Sequence, residues 1–120
     1  MSAFRPVSQS VRPVSRPADG ASARAAEQNG PVIRKRAIVR GLVQGVGFRY
    51  YALHEATHLG LAGYVRNRPD GAVELELEGP DAAVARMLSW LAHGPSSAVV
   101  DSLDVSDLPP VGESGFIVAY

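Results

Sequence analysis

From Val73 to Glu78 the chain alternates without a break: Val73, Leu75 and Leu77 are apolar, and Glu74, Glu76 and Glu78 are acidic. A period of two belongs to a β-strand, whose successive side chains point to opposite faces. This strand is expected to sit in a sheet with one face covered by apolar packing and one face wet.

The neighbouring segments supply the cover. Ile33 to Leu42 reads as a strand, with Ala37 and Val39 on one face and Arg36 and Arg40 on the other. A helix is expected from about Phe48 to Leu59, with Phe48, Ala52, Ala56 and Leu59 in one stripe and Gly60 at the C′ position. A strand over Ala62–Asn67 and the alternating strand over Ala72–Glu78 follow. Gly79-Pro80-Asp81 opens a second helix with Pro80 near N1. Val84, Met87, Leu88 and Leu91 form its apolar stripe, and Gly94-Pro95 ends it. A strand is expected over 98–105, a break at Asp107-Leu108-Pro109-Pro110 and Gly112, and a short last strand over 116–120. The order is βαββαβ plus a terminal strand. That is an α+β, ferredoxin-like sandwich, with an antiparallel sheet carrying two helices on one face.

The connection between the middle strands is specific enough to fix a register. In Arg68-Pro69-Asp70-Gly71-Ala72, Pro69 and Asp70 suit the central positions of a type I turn, and Gly71 suits the left-handed residue of a G1 bulge. Asn67 then lies opposite Val73, Arg66 opposite Glu74, and Val65 opposite Leu75. Asn67 falls on the helix face at the strand end. Its amide either finds a functional partner there or caps the turn, as Asn often does.

Between the first strand and the first helix runs Val43-Gln44-Gly45-Val46-Gly47-Phe48-Arg49. Glycines allow consecutive backbone N–H groups to converge into a nest for an anion, and a helix start adds partial positive charge. Arg49, in the first helical turn, can add a bidentate guanidinium. Such a turn suits a tetrahedral oxyanion, although a tight strand-to-helix connection with a surface arginine has the same composition. The loop lacks the Gly-Lys-Ser/Thr of a Walker loop and the full spacing of a dinucleotide fingerprint.

These two stretches carry a family resemblance. Gly41-Leu42-Val43-Gln44-Gly45-Val46-Gly47-Phe48-Arg49 resembles the acylphosphatase signature, and Gly63-Tyr64-Val65-Arg66-Asn67-Arg68-Pro69-Asp70-Gly71-Ala72-Val73 resembles that family's second signature. The resemblance covers residues 33–120, including Trp90-Leu91 and Gly94-Pro95. It implies a metal-independent hydrolase without cofactor that splits acyl phosphates into carboxylate and inorganic phosphate. Arg49 and Asn67 stand at the places of the catalytic pair, and the N–H donors come from Gln44, Gly45, Val46, Gly47, Phe48 and Arg49. The motifs hold no Cys or Ser nucleophile and no evident general base. None is needed if the leaving group is a carboxylate with a conjugate-acid pKa of about 4, as for Glu.

Other readings compete. His54-Glu55-Ala56-Thr57-His58 matches the HExxH zinc pattern on a helix. Ala56 is needed for the apolar stripe, however, which turns His54 and His58 to solvent, and no third ligand is evident. His93 is expected at a helix C-terminus, where the dipole favours it. An RNA-binding sheet would want aromatic and basic residues on the face that Glu74, Glu76 and Glu78 occupy, and Tyr64 alone is a poor stacking platform. The main rival is a non-catalytic, acylphosphatase-like module that binds a phosphorylated ligand for regulation.

Composition bounds the rest. Twelve basic and twelve acidic residues leave no net field for nucleic acid or anionic lipid, and no cysteine offers a thiolate or disulfide. No apolar run reaches the ~20 residues that span a membrane, and no apolar stretch follows the N-terminal charges as a secretory signal would. A cytoplasmic monomer acting on a small molecule is expected. Residues 1–31 are rich in Ser, Ala, Pro and Arg, with Arg5-Pro6-Val7, Arg12-Pro13-Val14 and Arg16-Pro17, and Phe4 is their one large aromatic. Such a stretch cannot bury enough surface to offset ordering entropy, so a disordered tail is expected ahead of a domain at 32–120.

Overall fold

The computed structural model describes residues 30–120, and the tail expected at 1–31 lies outside them but for its last two residues. Seven elements follow in the expected order: β1 (Val32–Leu42), α1 (Phe48–His58), β2 (Ala62–Asn67), β3 (Val73–Pro80), α2 (Asp81–His93), β4 (Val99–Leu108) and β5 (Phe116–Val118). The strands form one sheet in the order β4-β1-β3-β2-β5. Pairings β4–β1, β1–β3 and β3–β2 are antiparallel, as expected for the four main strands.

The terminal strand makes the sheet mixed. β5 pairs with β2 in parallel, Gly63 opposite Phe116 and Val65 opposite Val118. The cause is topological. β4 ends at one edge of the sheet and β5 joins the other, so no hairpin can connect them. β4 also runs further than the composition of Asp107-Leu108 implies. Both residues pair with β1, and the Lys35 ammonium donates to Asp107 at 2.7 Å, so the strand stops only at Pro109. At the start of α2, Pro80 is the N-cap rather than N1, with extended ψ, and Asp81 takes the first turn, where its charge suits the dipole.

The core lies between the sheet and the helices. Ala37 and Val39 of β1, Val65 of β2, and Val73, Leu75 and Leu77 of β3 meet Phe48, Ala52 and Ala56 of α1 and Val84, Met87 and Leu91 of α2. Burying a side chain such as Leu75 is worth about 1.5–3 kcal/mol. Ala52 and Ala56 are small, which lets α1 lie close to the sheet. The ring of Phe48 meets Trp90 at 5.7 Å between centroids, tying the start of α1 to the end of α2.

The helix-free face is not wet as the alternation suggested. Glu74 and Glu78 are buried, at 5% and 4% exposure, and so is Arg34. Arg34 donates to Glu76 and Glu78, both at 2.9 Å, and to Glu113 at 3.1 Å. The backbone N–H groups of Val111 and Gly112 donate to the Glu78 carboxylate at 2.9 and 2.8 Å. The β4–β5 connection therefore folds over this face and covers it. Tyr64 is taken up in the same layer, its hydroxyl bonded to Glu74 and 3.0 Å from Glu76. Burial opposes the charge on Glu78 and on Glu74. The N–H groups and Arg34 around Glu78, and Tyr64 and Arg66 around Glu74, outweigh it and hold both carboxyls below their usual range.

Candidate active site

The hairpin closes as its residues demand. The Gly71 N–H donates to Arg68 O at 3.1 Å and the Arg68 N–H to Ala72 O at 2.8 Å. Gly71 sits at φ 93°, in the left-handed region that the bulge requires. Asp70 accepts from the Ala72 N–H at 3.1 Å, which holds its carboxyl below the usual range. The register is Asn67 with Val73, Arg66 with Glu74, and Val65 with Leu75, as expected. The turn is capped by Asp70 and closed by Arg68, Gly71 and Ala72. Asn67 is left half-buried at the strand end, on the helix face, lining a cavity.

The glycine loop faces the same cavity. Gly45 and Gly47 have φ of 75° and 81°. A Cβ on Gly45 would meet nothing within 4 Å, so backbone conformation rather than space demands glycine there. Gly47 is the N-cap of α1 and no side chain caps the helix. The helical bonds begin with Tyr51 N–H to Gly47 O at 3.1 Å. The N–H groups of the first helical residues therefore have no partner within the helix. Phe48 turns into the core, and the next residue, Arg49, stands half-buried on the cavity side. Its guanidinium carbon lies 5.2 Å from the centroid of the Tyr120 ring, a cation–π distance.

Two contacts that the sequence does not announce hold the loop in place. The Gln44 amide donates to Arg68 O at 2.8 Å and to Ala72 O at 2.9 Å, clamping the loop to the hairpin that carries Asn67. The Ser97 hydroxyl donates to Val46 O at 2.7 Å from the connection after α2. The six loop residues named from the sequence thus divide. Gly45, Gly47, Phe48 and Arg49 line the cavity, whereas Gln44 and Val46 serve as attachment points. Gln44 was legible only as a backbone donor. Its side-chain partners lie beyond any local pattern, and Ser97 carries no signal at all.

The cavity measures about 560 Å³ and runs between α1 and β5. Its lining includes Val43, Tyr50, Leu53, Phe116, Ile117, Val118 and Tyr120, and among the described residues Arg49 is its one charged side chain. An anion entering it meets the unpaired N–H groups at the start of α1 and one guanidinium, with the Asn67 amide beside them. His54 and His58 are exposed on α1, and among the described residues no three His, Cys, Asp or Glu side chains gather as metal ligands would. His93 bonds through Nδ1 to Ser89 O at 3.1 Å, at the end of α2.

The acylphosphatase family model matches residues 35–118. An acylphosphatase of Caldivirga maquilingensis is 47% identical over 93 residues, covering 76% of this chain and 98% of that protein. The crystal structure of acylphosphatase from Bacillus subtilis superposes with a TM-score of 0.71 at 38% identity, covering 73% of this chain and 99% of the other. An acylphosphatase structure from Coxiella burnetii gives 0.73 at 30% identity, covering 78% and 98%.

Proposed function

Because the chain belongs to the acylphosphatase family, we propose that it splits the carboxyl–phosphate bond of small acyl phosphates, releasing a carboxylate and inorganic phosphate. The observation that supports this reading is that Arg49, opening α1, and Asn67, ending β2, line one cavity with Gly45 and Gly47. Backbone N–H groups of the 43–49 loop and the Arg49 guanidinium hold the phosphoryl oxygens. The Asn67 amide orients a water in line with the scissile bond. The water oxygen forms the new bond to phosphorus, the bond to the acyl oxygen breaks, and its electron pair leaves on the carboxylate. The water's proton passes to a phosphoryl oxygen.

This assignment asks the protein for positioning and charge stabilisation, which dominate phosphoryl transfer. A carboxylate leaves without prior protonation, so no side chain has to act as general acid. Backbone dipoles and Arg49 carry the charge in this reading, without a metal. Residues Pro31–Tyr120 form one compact unit that includes both halves of the site. One copy is therefore sufficient, and we read the enzyme as a monomer whose domain begins after the N-terminal tail.

Hydrolysis of benzoyl phosphate with and without chelator is the test, and activity insensitive to chelator is expected. Arg49→Ala should remove turnover and weaken competition by inorganic phosphate. Asn67→Ala should lower kcat about 10²–10³-fold, the scale of a lost transition-state donor, with phosphate competition retained. An unchanged kcat would remove Asn67 from the mechanism. Phosphate binding without any hydrolysis would favour the regulatory module instead.

A further inference from the structure

The phosphoryl end of the cavity is accounted for by Gly45, Gly47, Arg49 and Asn67, which leaves most of its volume unassigned. A cavity of about 560 Å³ falls in the range that encloses a drug-sized ligand, far larger than one phosphoryl group. Its remaining walls come from two elements. On α1, Leu53 lies four residues after Arg49, one turn along the same helix face. On β5, Phe116 and Val118 share a strand face and both pack towards the core.

Leu53 stands out. It is half-buried and lines the cavity, yet it is not among the partly buried side chains that pack on the hydrophobic core. Its apolar surface is thus turned to the cavity rather than spent on the core. Among the described residues, no charged side chain other than Arg49 lines the cavity. An acidic acyl group would lose hydration there and gain no counter-charge, because the phosphate takes the guanidinium, and an amino-bearing one would meet no carboxylate side chain among the described lining residues.

From this we propose that Leu53, Phe116 and Val118 form an apolar trough for the acyl group, so that the enzyme selects uncharged acyl phosphates with aliphatic or aromatic extensions. The inference rests on the hydrolase reading for the chemical identity of its ligand. Phosphoryl transfer to water is unchanged by it. The trough adds binding to the part of the substrate that leaves.

The test compares acetyl, butanoyl and 3-methylbutanoyl phosphate. Their parent acids have nearly the same acidity, so leaving-group ability is constant and only the apolar surface changes. Each methylene drawn fully out of water multiplies kcat/KM by up to about fourfold. Butanoyl phosphate is therefore expected to exceed acetyl phosphate by roughly 3–15-fold. Leu53→Asn, on a helix face outside the core, should cut that ratio at least about threefold. The inhibition constant of inorganic phosphate should stay within about twofold, and a melting curve checks that the variant is folded. Equal kcat/KM for acetyl and butanoyl phosphate, or a ratio untouched by Leu53→Asn, overturns the trough. If no acyl phosphate is turned over, the hydrolase reading fails by itself. The trough is then judged by the Kd values of acetylphosphonate and butanoylphosphonate, and equal values overturn it.

Discussion

Gln44→Ala is the substitution that best separates assembly of the site from its chemistry. The Gln44 amide donates to Arg68 O and Ala72 O at 2.8 and 2.9 Å. Both carbonyls already accept a backbone bond, from Gly71 and Arg68 respectively, so the change leaves no orphaned acceptor. Two net hydrogen bonds at about 0.5–1.5 kcal/mol each set the loss, and the freed glutamine rotamers, up to ~2 kcal/mol, offset part of it. A loss of up to about 2 kcal/mol remains. For a domain of this size that lowers Tm by up to roughly 15 °C.

The kinetic effect is larger in kind. Without the clamp, Asn67 is no longer fixed against the loop proposed to hold the phosphate. A misplacement near 1 Å costs on the order of 10²-fold in rate, so kcat should fall between about tenfold and a hundredfold. The loop N–H groups and Arg49 do not depend on the glutamine side chain, and competition by inorganic phosphate should change less than about twofold. Gln44→Glu should be worse than alanine, since a carboxylate would face two carbonyl oxygens with nothing to donate. The assay is benzoyl phosphate hydrolysis below the melting transition, with phosphate as competitive inhibitor. A lower Tm with an unchanged kcat refutes the clamp's role in positioning. A parallel loss of phosphate affinity shows instead that Gln44 serves the loop rather than the pairing of its two halves.

Two further outcomes are expected. Tyr120→Ala removes the ring beside Arg49, and at about 0.5–1 kcal/mol for an exposed cation–π pair the inhibition constant of phosphate should rise roughly 2–5-fold; no rise means that the ring does not restrain the guanidinium. Glu78 and Glu74 have folded pKa values held below the unfolded one, so their stabilisation is complete above about pH 4.5 and is lost as pH falls through the folded values. The urea midpoint of the native chain should therefore drop between pH 6 and pH 3, and Glu78→Gln should lower the midpoint at pH 6 and shrink that drop. Equal pH dependence in the two proteins would show that the carboxylate is not what the cover of this face responds to.

The parts of the site legible in the sequence are those fixed by local backbone chemistry. Pro69, Asp70 and Gly71 specify one turn, that turn specifies one register, and the register alone puts Asn67 on the helix face. Gly45 and Gly47 likewise announce a backbone that side chains rarely adopt. What stayed hidden depends on segments distant in sequence. Gln44 and Ser97 act on carbonyls that no pattern marks. The alternation of Glu74, Glu76 and Glu78 reports which side they face but not what lies over it. Polarity and exposure part company when an arginine and backbone N–H groups arrive from elsewhere. The parallel pairing of β5 is similarly silent, because three residues carry no directional signal.

The covered charges also explain why a strand of three residues can wall the candidate site. β5 is bracketed by two backbone bonds to β2, Gly63 N–H to Gly115 O and Ala119 N–H to Val65 O. So short an edge strand does not fix its own position. The connection before it is fixed instead. Glu78, in the sheet interior, accepts from Val111 and Gly112, and Arg34 binds Glu113, three residues before β5 begins at Phe116. These bonds are directional, whereas an apolar patch on the same face would cover it in many arrangements with similar energy. A buried ion pair adds little net stability, and its better attested use is to select one arrangement among several. Here the arrangement selected places Phe116 and Val118 opposite Leu53 and brings Tyr120 to Arg49. The acidic strand thus works through both faces: its leucines build the core under the helices, and its glutamates hold the segment that closes the cavity.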